Sequence, residues 1–296
     1  MTEAKRKYVK KPWVPYTLDG KEVVTISFSG GRTSAYMTHR MLTERPEYHY
    51  IVTFANTGRE HPATLEFVHQ CDVQLGFNTV WLEAVTWPQR GKACTHKVVT
   101  YETACRDGAV FEGVIAKYGV PSATWALCTE RLKLWPMRSY IESLGYKERK
   151  IRTAIGIRAD ETRRVNIKTA ATRKLLYPLV DWWPVDKGDV LDWWRRQAFD
   201  LQIPEHLGNC VGCVKKSVSK HALEYRDMPD AFPWMIEMER KYGMVGLQDG
   251  SRPRVFHREH RSTEQLVALI KTLDVTHLPP PRPEEDGGCS ESCEVY

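Results

Sequence analysis

The chain has 296 residues, of which 42% are hydrophobic, and carries a formal net charge of +6 at pH 7. This length and apolar content suffice for one large domain with appendages or two smaller domains. No run of about 18 apolar residues occurs and the first residues lack the apolar stretch of a signal peptide, so the sequence excludes a membrane-spanning protein and predicts a cytoplasmic one.

The first 20 residues form a polar, proline-containing arm outside the predicted core. The arm concentrates five basic side chains, Lys5, Arg6, Lys7, Lys10 and Lys11. A run of this kind is typical of a solvated, disordered arm, and it also favours contact with nucleic acid or another polyanion.

From Glu22 onward, short apolar runs alternate with helical stretches. The pattern predicts strands over residues 22–28, 50–56, 79–85, 151–157 and 175–180, with helices over 33–42 and 61–76. Such alternation implies parallel pairing through right-handed crossovers, and therefore an α/β fold with an open, mainly parallel, doubly wound sheet. The polar stretch 158–174 is predicted to be a mobile surface loop.

The second half of the chain changes character. The main α/β domain, including a C-x-x-C motif, is predicted over 21–230, and a helical C-terminal region over 231–277. Ser262 and Gln265 have the spacing of a capping box at the start of an amphipathic helix. From residue 278 the chain is rich in proline, acid and glycine, which predicts a flexible tail.

Two glycines join the first predicted strand to the first predicted helix. In such a turn, backbone N–H groups can approach an anion, and the helix N-terminus adds partial positive charge. Four nearby side chains can supply hydroxyl donors, namely Ser27, Ser29, Thr33 and Ser34. Phosphate or sulfate is the natural ligand, although a purely structural turn has the same pattern. The spacing matches neither the P-loop nor the dinucleotide-binding fingerprint.

Five stretches in order resemble the phosphoadenylylsulfate (PAPS) reductase family of the adenine nucleotide alpha hydrolase superfamily. They are SFSGGRTSAYM, similar to the S-G-G-x-D-S PP-loop, then FANTGREHPATLEFV, ALCTERLKLWP, IGIRADETRR and PLVDWWPVDKGDVLDWW. Together with the following cysteine motif they span about Val23 to Lys216. The resemblance implies an adenine nucleotide alpha hydrolase-like fold that binds an adenine nucleotide or sulfonucleotide at the PP-loop.

Thr33 stands where the family loop has an aspartate. A threonine cannot bind a cation as a carboxylate does, which weakens the resemblance to magnesium-assisted ATP pyrophosphatases, although magnesium remains a compatible cofactor. PAPS reductases often lack this acid. The substitution therefore favours sulfonucleotide binding.

The resemblance also assigns a nucleotide site. Its predicted residues are Ser27, Ser29, Gly30, Gly31, Arg32, Thr33, Ser34, Thr57, Glu60, Arg131, Lys133 and Arg158. Thr57 and Glu60 follow the second strand at the expected crevice of an open sheet, and the last three residues are cations suited to phosphate or sulfate. Asp160 and Glu161 are predicted to pair with arginines or to approach a metal, with plain acids of a surface loop as the alternative.

Eight cysteines in a reducing compartment indicate a metal, a cluster or thiol redox chemistry rather than disulfides. Cys210 and Cys213 form a C-x-x-C pair, which is typical of a zinc or iron-sulfur half-site or a redox dithiol, and also of a merely buried pair. The resemblance adds Cys128 as a third ligand of a 4Fe-4S cluster. A three-thiolate cluster leaves one iron open to a further ligand. The alternatives are a fourth ligand, from Cys94, Cys105 or the tail, or a zinc site completed by a histidine such as His206.

Cys289 and Cys293 lie in the predicted tail. PAPS reductases carry a catalytic cysteine in such a tail, which attacks sulfur and is later discharged by thioredoxin. The resemblance therefore predicts Cys289 and Cys293 as catalytic, and they can also resolve each other as a disulfide. The family has E-C-G with a nearby histidine where this chain has two cysteines. An exposed tail without a catalytic role is the other interpretation. Cys71, on the apolar side of a helix, is predicted to be in the core.

Three functions follow from these observations. The first is a PAPS reductase-like enzyme that reduces a sulfonucleotide to sulfite with a thioredoxin-like reductant. The second is an ATP-dependent sulfurtransferase that inserts sulfur into tRNA or DNA through the three-cysteine cluster, with the basic arm holding the nucleic acid. The third is a nucleotide-binding module without catalysis. Assembly into homo-oligomers is compatible with each.

Overall fold

The computed structural model describes residues 14–147, 150–208 and 210–273. Most of the predicted basic arm and the whole predicted tail, with Cys289 and Cys293, lie outside these ranges. Within them, no helix is long and apolar enough to cross a membrane.

A single seven-stranded sheet forms the centre of the molecule. Its strands are β1 (Thr17–Leu18), β2 (Lys21–Ser27), β3 (Tyr48–Asn56), β4 (Val80–Val85), β5 (Thr95–Val99), β6 (Arg152–Ile155) and β7 (Leu175–Leu176). Their order is β5-β4-β3-β2-β6-β7, with β1 paired to β2 as a short hairpin. Only the β1–β2 and β4–β5 pairs are antiparallel. The predicted open, mainly parallel α/β sheet is therefore confirmed.

Ten α-helices accompany the sheet in the described ranges. They are α1 (Arg32–Glu44), α2 (Pro62–Leu75), α3 (Ala109–Tyr118), α4 (Trp135–Ser143), α5 (Ile167–Arg173), α6 (Pro178–Asp181), α7 (Lys187–Trp194), α8 (Val218–Asp227), α9 (Ala231–Tyr242) and α10 (Thr263–Ile270). A π-helical turn over Thr129–Leu134 leads directly into α4.

Helices cover both faces of the sheet because apolar side chains point to each face in turn. Val24 and Ile26 of β2 belong to the core that includes Met37 of α1 and Leu65 of α2. On the opposite face, Val23 packs with residues of α4. The sheet is therefore doubly wound, as the alternation of strands and helices predicts.

The strand order reverses at β2. From this strand the chain crosses to β3 on one side, whereas β6 pairs with β2 on the other. The loops that follow β2 and β6 consequently face each other at the carboxyl edge of the sheet. In open α/β sheets this is where ligands bind.

Two secondary-structure predictions were wrong. Residues 158–174 are not a mobile loop without structure, because they contain a 3₁₀ turn (Thr162–Arg164) and α5. The Asn166 side chain caps α5 by accepting a bond from the Thr169 amide at 2.9 Å, and none of its residues is buried. The sequence signal for this helix is therefore its N-terminal cap, because it has no buried apolar face. The strand predicted to continue to Val180 stops at Leu176, since Pro178 begins α6.

The C-terminal region is helical, as predicted, and it shares a core with the sheet domain. The Ser262 side chain accepts from the Gln265 backbone amide, and the Gln265 side chain accepts from the Ser262 backbone amide. This reciprocal pair confirms the capping box of α10. Met235 and Met238 of α9 pack with Phe111 and Val114 of α3 and with Phe256. Residues on both sides of position 230, the predicted boundary, thus belong to one apolar cluster.

Candidate functional site

The loop between β2 and α1 turns on Gly30, whose φ of +81° lies in the left-handed region. A Cβ atom at this position would come within 2.8 Å of Thr64 Cγ2 and 3.1 Å of Phe54 Cε2. Glycine is required on both counts, for its conformation and for the close approach of α2 and β3. Gly30 and Gly31 are both buried. The glycine turn is thus tightly packed at the carboxyl edge of the sheet.

The hydroxyl groups of this loop bond to the loop itself. Ser29 Oγ and Ser34 Oγ lie 2.8 Å apart, and Ser34 Oγ also accepts from the Ser29 amide at 3.2 Å and donates to the Gly31 carbonyl at 3.0 Å. Ser34 is fully buried, whereas Ser29 is half-buried. Ser27, also predicted for the site, faces α4 instead, where its Oγ is 3.9 Å from Met137 Sδ.

Arg32, the first residue of α1, forms a bidentate ion pair with Asp200. Its Nε and Nη2 lie 2.6 and 3.0 Å from the two carboxylate oxygens. The Trp194 indole N–H also donates to the Arg32 carbonyl at 3.0 Å. The predicted anion ligand therefore already has a carboxylate partner, and this pair joins α1 to the segment after α7.

Thr33, which follows β2, and Arg158, which follows β6, contact each other at the point where the strand order reverses. Arg158 Nη1 donates to Thr33 Oγ1 at 3.1 Å, and its Nε donates to Asp160 Oδ1 at 2.9 Å. Arg158 as a whole is only 5% exposed. The loops after β2 and β6 are thus joined directly, and the predicted pairing of Asp160 and Glu161 with an arginine is confirmed. Thr33, at the position of the family's aspartate, thus accepts a hydrogen bond from Arg158.

The Glu60 carboxylate brings three predicted motifs together. It accepts from Thr57 Oγ1 at 3.0 Å and from the Cys210 thiol at 3.2 Å, and Lys133 Nζ lies 3.6 Å from the same oxygen. The Thr57 hydroxyl is also 3.3 Å from Cys210 Sγ. Glu60 and Lys133 are both buried. The second-strand motif, the C-T-x-x-L-K motif and the C-x-x-C motif therefore form one polar centre.

The C-x-x-C loop is fixed by its backbone. The Val211 amide donates to the Arg59 carbonyl at 2.8 Å, next to Glu60. Gly212 has a φ of +72°, and a Cβ there would come within 2.3 Å of Met235 Sδ. Its amide donates to Glu224 Oε1 at 2.9 Å. The loop is consequently held between the sheet edge and helices α8 and α9.

Glu224 is a fully buried acid with strong partners. Lys216 Nζ lies 2.7 Å from Oε1, and His221 Nδ1 lies 3.2 Å from Oε2. Burial alone would raise the pKa of Glu224, but Lys216 and His221 outweigh it and lower the pKa to about 2. The carboxylate therefore stays ionised and holds the C-x-x-C loop at every pH near neutrality.

Cys128, Cys210 and Cys213 line one pocket together with Lys133. Most of the remaining wall is apolar, including Phe111, Leu132, Trp234, Met235 and Phe256. Three thiols in one apolar pocket fit a thiolate-bound group by donor type. Across the described residues, however, no group of three or more Cys, His, Asp or Glu is arranged so that it could hold a metal ion. The donor set is present but the cysteines are not drawn into a ligand shell.

The alternative ligands lie elsewhere. Cys94 and Cys105 do not line this pocket, and His206 Nε2 is 2.6 Å from Asp227 Oδ2. Cys71 is completely buried, as predicted. Burial raises the pKa of its thiol, in keeping with a core role.

Arg131 does not join the polar centre, although it is only two residues from Lys133. Its guanidinium group lies 3.5 Å from the centre of the Trp135 ring and 4.8 Å from that of Tyr118. Glu130 is its carboxylate partner at 3.5 Å. The two predicted cations of this motif thus have different surroundings. The tail cysteines Cys289 and Cys293 lie outside the described residues.

Sequence reasoning missed Asp200 and Glu224, the acids that hold Arg32 and the C-x-x-C loop. Asp200 follows no motif, so the sequence offers no signal for it. Glu224 leaves a faint one, since Lys220 and His221 precede it by four and three residues on α8 and all three are buried. Polar residues at helical spacing on a buried face indicate an internal ion network.

Two comparisons with known proteins bear on this site. The family model described as phosphoadenosine phosphosulfate reductase domain matches residues 23–201. An uncharacterized nin region protein, ORF290, of Escherichia phage lambda is 33% identical over 288 residues, which cover 92% of this chain and 94% of that protein. The matched region holds the glycine turn, Glu60, Lys133 and Arg158, while the C-x-x-C motif lies just beyond it.

Proposed function

This chain belongs to the phosphoadenosine phosphosulfate reductase family, and from that premise we propose that it binds an adenine sulfonucleotide at the loop after β2 and reduces it to sulfite. The nucleotide's phosphate and sulfate groups would lie where the loops after β2 and β6 face each other. This position is the usual ligand crevice of an open parallel sheet.

The contact between Thr33 and Arg158 is the observation that carries the proposal. It puts the guanidinium of Arg158, a buried residue that is 5% exposed, beside the glycine turn. An arginine in such a place is a strong ligand for a phosphate or sulfate group, because its fork of donors matches two oxyanion oxygens. Asp160 and Glu161 already pair with this guanidinium, so a phosphate or sulfate group would compete with these two carboxylates for it.

The proposed chemistry requires two thiols and two electrons. A thiolate, supplied by Cys289 or Cys293, attacks the sulfate sulfur of the adenylyl sulfate, and the bond from that sulfur to the bridging phosphate oxygen breaks. The adenosine phosphate leaves with the electron pair, and a cysteine thiosulfonate forms. The second thiol then attacks the cysteine sulfur, gives up its proton to solvent, forms a disulfide and releases sulfite. A thioredoxin-like dithiol reduces the disulfide.

By donor type alone, the three thiols that line the pocket, those of Cys128, Cys210 and Cys213, suit a thiolate-bound cofactor, which we propose to be a 4Fe-4S cluster. Lys133 lines the same pocket and contacts Glu60, so the chain places a positive charge between the thiols and the sheet edge. A cluster held by three cysteines would keep one iron open to a further ligand.

A second candidate function is favoured by the number of cysteines. The pocket is lined by three of them, which is the ligand set of an ATP-dependent sulfurtransferase cluster with an open iron. Thr33 is evidence against this second function, because the loop lacks the carboxylate that would bind magnesium beside ATP. Pyrophosphate release from ATP that rises with added tRNA or DNA would distinguish this activity from sulfite release.

Sulfite release and nucleotide affinity together test the proposal. With a dithiol donor, the wild-type protein is expected to release sulfite from adenylyl sulfate or its 3'-phosphorylated form. Arg158→Met should weaken nucleotide binding by about 10- to 100-fold, because a charged hydrogen bond to the oxyanion is lost. The exposed Arg163→Met, which removes the same charge on a neighbouring turn, is the matched control and should bind normally.

The tail cysteines give an independent readout. The double variant Cys289→Ser, Cys293→Ser should bind the nucleotide with wild-type affinity in calorimetry and release no sulfite. Unchanged release would disprove the tail mechanism. Equal affinity of the Arg158→Met and wild-type proteins would disprove the nucleotide site.

Metal analysis after anaerobic purification tests the cofactor. We expect a brown protein with iron and acid-labile sulfide, and loss of both in Cys210→Ser. Cys71→Ser is the control, because this buried thiol lies in a different core cluster. A colourless protein with stoichiometric zinc would refute the cluster and favour the zinc alternative.

A further inference from the structure

A surface groove runs between the loop 120–125 and the segment 252–261. It is lined by Ser122, Thr124, Trp125, Arg254, Arg258 and His260. Its larger part has a volume of about 540 Å³. This lies within the range of pockets that hold small ligands, about 300–1,000 Å³. The groove is separate from the loop after β2 and from the cysteine pocket.

One wall of the groove is strongly basic. Residues 252–261 read Arg-Pro-Arg-Val-Phe-His-Arg-Glu-His-Arg, so ten residues carry four arginines and one glutamate. The single acid, Glu259, is bound by Arg261 at 2.6 Å. Arg258 is exposed. Among the charged residues that line the groove, Arg254 and Arg258 outnumber Glu259, so the wall carries net positive charge. The segment lies beyond the region that the family model matches.

The opposite wall presents an aromatic ring. Trp125 is 42% exposed, which is unusual for so large an apolar side chain. Reciprocal backbone bonds between Ser122 and Trp125, of 3.1 and 3.3 Å, fix the turn that carries it. The Arg254 guanidinium lies 4.3 Å from the ring centre. The ring is thus held in place before any ligand arrives.

The basic wall also has an unusual backbone. Glu259 and His260 have φ values of +59° and +55°, so two consecutive residues other than glycine adopt the left-handed conformation. Such a conformation costs about 1–2 kcal/mol per residue and is found mainly where function requires it. Arg258 and His260, on either side of Glu259, both line the groove.

From these features we infer that the groove binds a single-stranded nucleic acid. Exposed Trp125 provides a platform on which an unpaired base stacks, and the exposed Arg258 on the facing wall can neutralise a phosphate. Arg254 instead donates to the Tyr118 and Val245 carbonyls and supports the ring. A duplex keeps its bases stacked inside and could not use the ring. An acidic peptide would satisfy the arginines but has no flat group to stack on Trp125.

The position of the groove gives this binding a consequence. Phe256 lines the cysteine pocket, while its neighbours Val255 and His257 line the groove. Cys128 follows Trp125 by three residues and also faces the pocket. Only the segment 255–257 would therefore separate a bound nucleic acid from the cysteine pocket. The inference does not depend on sulfonucleotide reduction, because no residue of the groove belongs to the proposed nucleotide site.

Fluorescence anisotropy of a labelled oligonucleotide tests the groove in the full-length protein. Single strands of DNA and of RNA, each about 12 nucleotides long, are titrated at several salt concentrations beside a duplex of the same sequence. Trp125→Ala should weaken single-strand binding about tenfold, and Trp125→Phe should keep most of the affinity. Arg258→Glu should weaken binding about tenfold and flatten the salt dependence.

Arg195→Glu is the matched control, since it makes the same charge change at an arginine that is 71% exposed on another surface. Its effect should stay within about twofold. The inference is overturned if Arg195→Glu and Arg258→Glu weaken binding equally, or if Trp125→Ala binds like wild type. Duplex binding as tight as single-strand binding would also overturn it, as would full displacement by poly-glutamate. Adenylate binding should be normal in the groove variants, which separates this test from that of the nucleotide site.

Discussion

Replacing Glu224 by glutamine is expected to lower the free energy of unfolding by about 3–5 kcal/mol, which is the range for breaking a buried ion pair. The substitution preserves the size of the side chain but leaves the buried Lys216 ammonium without its countercharge. It also weakens the acceptor of the Gly212 amide. Urea-induced unfolding followed by circular dichroism measures the loss.

Two further variants make this prediction specific. Glu264→Gln, at an exposed ion pair with Arg240, should cost no more than about 1 kcal/mol. The double variant Glu224→Leu, Lys216→Met removes both charges, so it should be more stable than Glu224→Gln alone. If the double variant is as unstable as Glu224→Gln, the uncompensated charge is not the cause.

The same carboxylate predicts a pH dependence. Its pKa is about 2 in the folded protein and 4.5 as an ordinary glutamate, so it releases its proton more readily when folded. The resulting stabilisation is fully present above pH 4.5 and disappears as the pH falls through 2. The stability difference between wild type and Glu224→Gln should therefore shrink over that window, and a difference that stays constant would contradict the assignment.

Replacing Gly30 by alanine should destabilise the protein by about 2–5 kcal/mol, from left-handed strain and from overpacking against Thr64. A new Cβ would come within 2.8 Å of Thr64 Cγ2, and the loop would have to move. Binding of an adenine nucleotide should weaken by more than about tenfold, since the backbone amides lose their arrangement. Calorimetry and urea unfolding measure the two effects.

Gly76→Ala is the matched control for Gly30→Ala. Gly76 also has a positive φ, of +68°, but a Cβ there would meet nothing within 4 Å. The control should therefore show the strain alone, about 1–2 kcal/mol, with unchanged nucleotide binding. Similar losses in both variants would show that packing against α2 does not matter at Gly30.

The sheet was largely predictable because its parallel strands are buried on both faces. β2, β3 and β4 appear in the sequence as short apolar runs, and the structure has them within two residues of the expected bounds. β5, in contrast, has the pattern Thr-His-Lys-Val-Val with two exposed residues at its centre. An edge strand that faces solvent lacks the apolar run that marks a buried one.

The site was predictable in its motifs but not in its contacts. Lys133 and Arg131 belong to one motif, yet only Lys133 reaches Glu60, because side chains two residues apart on a helical turn point in different directions. Arg32 follows the glycines directly, and only the structure shows that Asp200, which is 168 residues away, pairs with it. Motif spacing predicts which loops meet, whereas side-chain direction depends on tertiary packing.

The apolar cluster formed by α3, α9 and Phe256 has a practical consequence for anyone who wishes to shorten this protein. The family model ends at residue 201, but Phe111 and Val114 before that point are covered by Met235 and Met238 after it. A fragment cut at the end of the matched region would expose these side chains to water and leave Glu60 without its thiol neighbour. The smallest piece that keeps its interior closed extends to α10, so excision experiments should retain the chain at least to Ile270.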